Sequence, residues 1–299
     1  MHPVRAEIIL KGHLLNPLWK SRESRRRTRG LVTAEAVSRY LDRYVPFIKG
    51  LEPSEREVTE GEECIFSLWL QGADNAPEVV RSCWESVRRN CRQQIVILDE
   101  ESLGSRIELP DHITRKWKDG TLRPAHYADI CRLALLVRYG GLWLDATDYI
   151  AAPFPSWLWD ADFFVHMSGT HIRGWYSYVQ NCFIRARKGN FLASAWLELI
   201  LEYWRREDVA ADYFIHQLLF KKLVECNPYA SAAFGKMPCV LQDAAHELWF
   251  GHGDDDFDPA RWEEMASSAL FQKTEYSSSM ARSPRPGSVA EHLLESGSK

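Results

Sequence analysis

Residues 128–150 read ADICRLALLVRYGGLWLDATDYI, and this stretch decides the fold class. It joins a predicted helix to a predicted strand through Gly140 and Gly141, where the missing side chains permit a sharp reversal of the backbone. On the helix, Asp129 and Arg132 lie three residues apart and therefore share one face. We expect this face and the polar end of the strand to converge on one cleft.

The strand that follows the two glycines ends in polar residues. Because side chains alternate between the two faces of a strand, Trp143, Asp145 and Thr147 are predicted to face the cleft. The intervening residues are apolar and are predicted to face the core: Leu142, Leu144 and Ala146. A carboxylate at a strand end, with a second oxygen two residues later, is a typical way to hold Mg²⁺ or Mn²⁺ against a diphosphate. Spacing alone leaves helix caps, turns and solvated acids as alternatives.

Outward from this stretch, short apolar segments alternate with amphipathic ones. Residues 65–70 (IFSLWL) and 93–99 (QQIVILD) are predicted strands, and Pro77 and Pro124 each lead a predicted helix. This alternation is typical of an α/β fold, in which a mixed or parallel sheet is flanked by helices. Ligand sites of such folds lie at the carboxyl ends of the strands.

Three regions are predicted along the chain. Residues 1–60 have helical apolar spacing and form a helical N-terminal extension, whereas residues 61–276 carry the α/β pattern. Residues 277–299 are polar and contain proline and glycine, so we expect a flexible tail. Within the extension, residues 20–29 (KSRESRRRTR) are strongly basic. This segment either contacts an anionic membrane surface peripherally or is a solvated face.

The composition excludes several classes of protein. The chain has 299 residues, 45% of them hydrophobic and 26% charged, which is typical of a globular protein and excludes a disordered chain or a membrane bundle. A net charge of −4 creates no field that attracts a polyanion, so nucleic acid is not an expected partner. Seven cysteines without a CxxC pair predict reduced thiols. Because there is no long apolar segment and no signal-peptide cleavage site, we expect a cytoplasmic protein.

The pattern D-x-x-R followed by Y-G-G-x-x-x-D-x-[D/T] resembles the donor-site signature of glycosyltransferase family 32 and of capsular polysaccharide synthesis proteins. The large clostridial glucosylating toxins share it more distantly. Residues 65–89 are similar to the first strand, turn and helix of these families, and residues 180–204 are similar to a later strand and helix. The resemblance implies a GT-A type fold, a nucleotide-sugar-binding α/β sandwich with a mixed central sheet flanked by helices.

The resemblance also implies roles for residues on the donor side. Trp69 lies where relatives border the nucleotide base, and Gln71 and Gly72 lie in the turn that the nucleotide approaches. Asp129 and Arg132 match the pair that contacts the donor sugar and its phosphate, a task that suits a bidentate guanidinium. The alternatives are an ordinary core tryptophan and a plain ion pair on a helix surface.

Asp145 matches the first acid of the D-x-D motif, which implies a Mn²⁺ or Mg²⁺ ion bound against the diphosphate. Thr147 departs from the motif because it replaces the second acid with a neutral hydroxyl. If the strand ends in a turn, Asp148 replaces the missing ligand; otherwise another acid, such as one of residues 254–256, completes the site, or the metal binds weakly. Lys273 lies where relatives carry a basic residue, and it is expected to reach the diphosphate as a point charge.

On the acceptor side, the polar groups nearest the matched segments are Asn181, Asp212 and His216, and the last two are predicted to share a helix face. The resemblance implies transfer of a hexose, with retention, from a UDP- or GDP-linked sugar to a glycan, glycolipid or other hydroxyl acceptor. Such transfer would be a step in polysaccharide or surface-glycan synthesis. Thr147 leaves a second hypothesis open, a nucleotide-sugar-binding protein that no longer catalyses.

Overall fold

A central sheet of five strands, with helices on both faces, positions the site. The computed structural model describes residues 2–15, 21–54, 63–170, 172 and 174–296. The strands of the central sheet are β1 (Ile65–Leu68), β2 (Ile95–Leu98), β3 (Gly141–Leu144), β5 (Phe163–Met167) and β6 (Val179–Ala186). A separate sheet consists of the two short strands β4 (Asp148–Tyr149) and β7 (Gln272–Lys273).

Helices make up much of the remaining described chain. Before the first strand they are α1 (Pro3–Leu15), α2 (Arg22–Leu41) and α3 (Val45–Lys49). Between the strands they are α4 (Glu78–Asn90), α5 (Glu100–Arg106), α6 (Asp111–Lys118), α7 (Pro124–Tyr139) and α8 (Ser156–Asp160). After β6 they are α9 (Phe191–Arg206), α10 (Ile215–Cys226), α11 (Pro228–Phe234), α12 (Pro259–Ser267), α13 (Ser279–Arg282) and α14 (Val289–Ser296). Among the described residues, none of the helices combines the length and the apolar character needed to cross a bilayer.

The strand order β2-β1-β3-β6-β5 brings the carboxyl ends of β1, β2 and β3 to one edge, because these strands are parallel. β1 is parallel to both neighbours, with Ile65 opposite Ile95 in β2 and opposite Leu142 in β3. β6 is antiparallel to β3 and to β5, so it begins at the edge where β1 and β3 end. The predicted mixed central sheet flanked by helices is confirmed.

The sheet is buried on both faces. Phe66 and Trp143 belong to the cluster that contains α7, α9 and α10, whereas Ile65 and Leu142 face the opposite side and pack with Val87 of α4. The alternation along β3 is therefore as predicted, but Trp143 is 1% exposed and does not stand on an open face. A strand buried on both sides presents polar groups only beyond its end. The cleft accordingly begins where β3 stops.

The segment predicted as one strand over residues 142–150 consists of two strands separated by a turn. β3 ends at Leu144, and the amide of Asp148 donates a hydrogen bond to the carbonyl of Asp145 (3.0 Å). β4 then leaves the central sheet and pairs with β7, where Asp148 lies opposite Lys273. Of the alternatives for Asp148, the turn is the one that the structure adopts.

The amino-terminal helices pack into the same core as the sheet. Val37 of α2 and Ile48 of α3 are fully buried in the cluster that contains α10. The basic residues of α2 that the structure describes are exposed: Arg25, Arg26, Arg27 and Arg29. Residues 16–20 and 55–62 of the predicted extension lie outside the described residues, as does the side chain of Arg22.

The carboxyl-terminal residues do not form the flexible tail expected from their composition. Val289 and Leu293 of α14 are buried against α4, and the Ser82 hydroxyl donates a hydrogen bond to the carbonyl of Leu294 (3.0 Å). The apolar residues of α14 share one face of the helix, and burying that face outweighs the polar composition of the segment. Residues 297–299 lie outside the described residues.

Candidate active site

A cleft of about 320 Å³ opens at the edge of the central sheet where β1 and β3 end. Trp69 follows β1, Asp145 follows β3, and Asn181 lies near the start of β6. Helix α7 contributes Asp129 and Arg132. Residues that are distant in sequence therefore meet at the carboxyl edge of the parallel strands, as expected for an α/β fold.

Arg132 is a buried cation that lines the cleft. Its Nη2 atom lies 3.0 Å from Asp129 Oδ1 and 3.2 Å from Asp145 Oδ1, and its Nη1 atom donates a hydrogen bond to the carbonyl of Asn181. The guanidinium lies 5.1 Å from the centre of the Trp143 ring. Burial opposes the charged form, but the Asp145 and Asp129 carboxylates outweigh it and raise the pKa of Arg132. The guanidinium is thus fixed in place by groups on three elements.

Asp129 also lines the cleft and holds Arg132 in this arrangement. Asn181 Nδ2 donates a hydrogen bond to Oδ1 (2.9 Å), and His216 Nδ1 lies 2.9 Å from Oδ2. Because Trp204 Nε1 donates to His216 Nε2 (2.8 Å), the ring proton is assigned to Nδ1, which faces Asp129. Burial alone would raise the pKa of Asp129, but Arg132 and His216 outweigh it and hold the pKa at about 2. Asp129 is therefore a fixed anion at neutral pH.

Asp145 is the acid at the end of β3, and its side chain is 27% exposed. Trp143 Nε1 donates a hydrogen bond to Oδ1 (2.9 Å), the oxygen that also faces Arg132. Lys273 Nζ donates to Oδ2 (3.1 Å). Burial favours the protonated acid, but the charges of Lys273 and Arg132 outweigh it and lower the pKa of Asp145. Each oxygen of this carboxylate therefore has a donor from the protein.

Lys273 joins Asp145 to Asp148. The pairing of β4 with β7 sets Lys273 opposite Asp148, and Nζ donates to Asp148 Oδ1 (2.8 Å). Burial opposes the charged ammonium, but the two carboxylates outweigh it and raise the pKa of Lys273. Asp148 is 1% exposed, and burial, only partly offset by Lys273, raises its pKa to about 7.

The residues present do not fit the divalent cation expected from the sequence. Mg²⁺ requires about six oxygen ligands in near-octahedral geometry, and Mn²⁺ prefers the same oxygen donors. The Lys273 ammonium lies between Asp145 and Asp148, the two carboxylates predicted to bind the metal, and it would repel a second cation there. Thr147 adds only a neutral hydroxyl, and no group of three or more potential metal-binding side chains occurs in the described part of the chain. Dependence on Mn²⁺ or Mg²⁺ stays a prediction.

Several buried polar atoms around the cleft have no protein partner among the described residues. They are Trp69 Nε1, Arg132 Nε, Gln217 Oε1, Gln242 Oε1 and His246 Nε2. Burial, and then the charge of Lys273, lower the pKa of His246 to about 4, so its ring is neutral at neutral pH. Because buried polar groups are nearly always paired in folded proteins, bound water or a polar ligand would supply the missing partners.

The structure brings most of the predicted donor-side residues together. Those that line the cleft are Trp69, Asp129, Arg132, Trp143, Asp145 and Thr147, joined by Asn181 from the acceptor-side set and by Lys273. Gln71 and Gly72 form the turn after β1, where Gly72 has a φ of 85°, but they are not among the lining residues. Asp148 and His216 lie behind the lining residues that they contact. The functional roles of all these residues stay predictions.

Asp212 and His216 do not form the predicted pair on one helix face. Helix α10 begins after Asp212, so this residue lies in the preceding turn. Its carboxylate accepts hydrogen bonds from the Phe214 amide (2.9 Å) and from the Tyr176 hydroxyl (3.1 Å). His216 is fully buried and contacts Asp129 instead. Neither lines the cleft, because the helical spacing assumed from the sequence does not extend to residue 212.

The acidic residues 254–256 also lie away from the cleft. Asp255 Oδ2 lies 2.9 Å from His252 Nδ1, and Asp256 Oδ1 accepts a hydrogen bond from Arg285 Nη2 (2.7 Å). These are exposed surface pairs, which favours the solvated-loop alternative over a metal site.

Sequence reasoning missed several residues of the cleft. They are His126, Gln180, Tyr213, Gln217, Gln242, His246 and Tyr276. His126 precedes Asp129 by three residues on α7, so helical spacing could have identified it. Tyr276 makes an edge-to-face contact with Trp69 at 5.1 Å between ring centres, although the two residues are far apart in sequence. No local signal points to Gln242 or His246, which reach the cleft only through tertiary packing.

Comparisons with known proteins give three findings. A family model described as capsular polysaccharide synthesis protein matches residues 19–293. Over 189 residues, the chain is 26% identical to the O-glycosyltransferase braB of Annulohypoxylon truncatum, a match that covers 58% of this chain but only 45% of that relative. Among solved structures, PaToxG Glycosyltransferase aligns with 67% of this chain and 79% of its own, at 13% identity and a TM-score of 0.40.

Proposed function

We propose that this chain, which belongs to the family of capsular polysaccharide synthesis proteins, transfers a hexose from a nucleoside diphosphate sugar to an acceptor hydroxyl. The observation that carries the proposal is the composition of the cleft. Arg132 and Lys273 bring two cations to one strand end, and polar side chains such as Gln180 and Asn181 also line the cleft. Cations suit a diphosphate, and mixed donors and acceptors suit a sugar and a base. The O-glycosyltransferase named among its relatives supports transfer to oxygen.

In this reaction the bond between the anomeric carbon and the β-phosphate oxygen breaks, and its electron pair leaves with the nucleoside diphosphate. The acceptor oxygen forms the new bond to the same carbon. Arg132 is placed to stabilise the charge that develops on the leaving phosphate. Asp129 and Asp145 have lowered pKa values and contact cations, which makes them weak bases. We therefore propose that the departing phosphate oxygen takes the acceptor proton, a course that is compatible with retention.

The donor nucleotide is UDP or GDP in this proposal, and the acceptor is a glycan, a glycolipid or another hydroxyl compound. Trp69 and Tyr276 form the aromatic side of the cleft and are the candidates for contact with the base. A role in polysaccharide or surface-glycan synthesis follows from the family description alone. A cytoplasmic location, with peripheral membrane contact through residues 20–29, stays a prediction from the sequence.

One observation favours a second candidate function. Thr147 stands where the motif has its second acid, and Lys273 occupies the carboxylates that the metal would use. A protein that binds a nucleotide sugar without transferring it would show the same features. Turnover distinguishes the two candidates.

The test is release of UDP or GDP from a panel of sugar nucleotides, measured with and without hydroxyl acceptors. The enzyme is expected to turn over one donor and the alternative none, although both would bind it. Asp145→Asn keeps the size of the side chain and removes its charge, so it is expected to lower kcat by about 100-fold or more. Asp254→Asn, an exposed acid outside the cleft, is the matched control and is expected to retain full activity.

Asp254→Asn should have the melting temperature of the wild type, whereas Asp145→Asn should melt several degrees lower, because Arg132 and Lys273 then lose a balancing carboxylate. Turnover is therefore compared at a temperature at which circular dichroism shows that both variants are folded. Asp145→Asn turnover equal to that of Asp254→Asn would contradict the role given to this carboxylate. Absence of binding by any nucleotide sugar would contradict the proposed function itself.

A further inference from the structure

Lys273 is a cation built into the end of a strand. Its Nζ atom lies 3.1 Å from Asp145 Oδ2 and 2.8 Å from Asp148 Oδ1, and its side chain is 17% exposed. These are the two carboxylates that the sequence assigns to a divalent metal. Lys273 is also among the residues that line the cleft, so its side chain borders the space that a ligand would occupy.

The backbone around Lys273 fixes its position. Antiparallel pairing of β4 with β7 sets Lys273 directly opposite Asp148. The next residue, Thr274, donates hydrogen bonds from its amide (2.8 Å) and its hydroxyl (3.0 Å) to the carbonyl of Thr147. The turn after β3 and the strand that carries the lysine are therefore clamped together, and Nζ is held near the end of β3 without a metal.

We infer that Lys273 supplies the positive charge that a divalent cation would otherwise supply to the donor diphosphate, and that this chain binds its donor without a divalent metal. The inference deepens the proposed function and rests on it. It explains the departure at Thr147, because an acid there would add a fourth carboxylate to Asp129, Asp145 and Asp148, which are balanced by two cations, Arg132 and Lys273.

Lys273 retains donor capacity for this task. An ammonium has three N–H donors, and two of them are used by Asp145 and Asp148. One donor therefore remains for a phosphate oxygen. Arg132, 3.2 Å from the other oxygen of Asp145, lines the same cleft and supplies the second cation. Both cations are anchored by carboxylates, so each is held in place before the diphosphate arrives.

The first experiment is calorimetric titration of the wild-type protein with UDP and with GDP, in EDTA, in Mg²⁺ and in Mn²⁺. We expect one nucleotide to bind with dissociation constants that agree to within about two-fold in all three conditions, since the cation is part of the protein. Binding that occurs only with a metal would overturn the inference and leave the proposed function intact. Failure of both nucleotides to bind in every condition would instead contradict both.

The second experiment removes the ammonium with Lys273→Met. In EDTA we expect nucleotide binding to weaken by about 10-fold or more, the typical consequence of losing a charge-assisted hydrogen bond. Mn²⁺ should restore part of the binding, because the variant leaves the carboxylates of Asp145 and Asp148 available. Lys188→Met, an exposed lysine that does not line the cleft, is the matched control and should bind as the wild type does. Wild-type affinity of Lys273→Met in EDTA would overturn the inference.

A third measurement does not depend on the folding of Lys273→Met. Paramagnetic resonance of Mn²⁺ in solution reports binding of the ion to the nucleotide-free wild-type protein. We expect the signal of free Mn²⁺ to persist at stoichiometric protein, and its loss would overturn the inference.

Lys273→Arg keeps the positive charge and is expected to bind the nucleotide in EDTA. Dependence of nucleotide binding by this variant on Mn²⁺ would count against the role of the cation.

Discussion

At the scale of the residue, Arg132 shows how a buried cation is stabilised within the fold. Asp129 and Asp145 balance its charge, and the carbonyl of Asn181 accepts a further hydrogen bond. A buried charge without partners would destabilise the fold by several kcal/mol. The same contacts that stabilise Arg132 also fix the plane of its guanidinium, so a change of this side chain should affect stability together with the proposed activity.

Arg132→Lys keeps the charge but loses this planar geometry. A single ammonium cannot reach Asp129, Asp145 and Asn181 together, so we expect kcat to fall by about 100-fold. The free energy of unfolding should fall by about 1–3 kcal/mol, because buried polar partners lose their hydrogen bonds. Donor turnover and urea denaturation measure the two effects.

Arg138→Lys is the matched control for this change. Arg138 lies on the same helix but is exposed, so its substitution should leave both quantities nearly unchanged. If Arg132→Lys were as active as Arg138→Lys, the guanidinium geometry would be irrelevant to the reaction.

At the scale of the element, helix α14 is an integral part of the fold. Leu293 is fully buried in a cluster with residues of α4, and the hydroxyl of Tyr149 lies 3.1 Å from Ser296 Oγ. We expect Leu293→Ala to lower the free energy of unfolding by about 2–5 kcal/mol, as is usual when a buried leucine is truncated. Chemical denaturation provides the measurement.

Glu295→Ala is the control on the same helix, because Glu295 is exposed and its loss should change stability by less than about 0.5 kcal/mol. A flexible tail would give equal and negligible effects for the two substitutions. That result would contradict the packing of α14 against α4.

At the scale of the whole molecule, buried histidines make the fold sensitive to acid. Burial, the main cause in each case, lowers the pKa of His126 and of His246 to about 4 and the pKa of His166 to about 3. As the pH falls, these histidines take up a proton near pH 6.5 in the unfolded chain, but only at lower pH in the folded protein. The stability that they contribute is therefore present above about pH 6.5 and is lost as the pH falls toward 4.

We expect the free energy of unfolding to fall between pH 7 and pH 5, by at most about 1.4 kcal/mol per pH unit for each histidine. Asp148 acts in the opposite direction. Its pKa is raised to about 7, so the folded protein protonates this carboxyl at a higher pH than the unfolded chain does, and acidification stabilises the fold through it. Because three histidines lower the free energy of unfolding on acidification and one carboxyl raises it, we expect a net decrease. Urea denaturation across this range measures it.

His166→Phe isolates one contribution. His166 lies among Phe164, Phe183 and Phe271, so a phenyl ring suits its surroundings and cannot take up a proton. The loss of stability between pH 7 and pH 5 should be smaller in this variant than in the wild type. Equal slopes for the two proteins would show that His166 does not contribute.

Local rules account for much of what the sequence predicted. Helix α7 begins at Pro124 and ends before Gly140, and α4 begins directly after Pro77. These signals depend on neighbouring residues, so they are visible without tertiary information. The same holds for Asp129 and Arg132, whose helical spacing places them together on the cleft side of α7.

The sequence by itself determined the alternation of strands and helices, the shared face of α7 and the strand end that carries Asp145, because each depends on contacts within a few residues. Only the tertiary structure decided what meets that strand end. The turn at Asp148 sends the chain into a second sheet, and its partner there, Lys273, lies far along the chain. Such pairing is a matter of long-range burial and charge balance, which no local pattern encodes. The cation at the site is therefore a property of the folded chain.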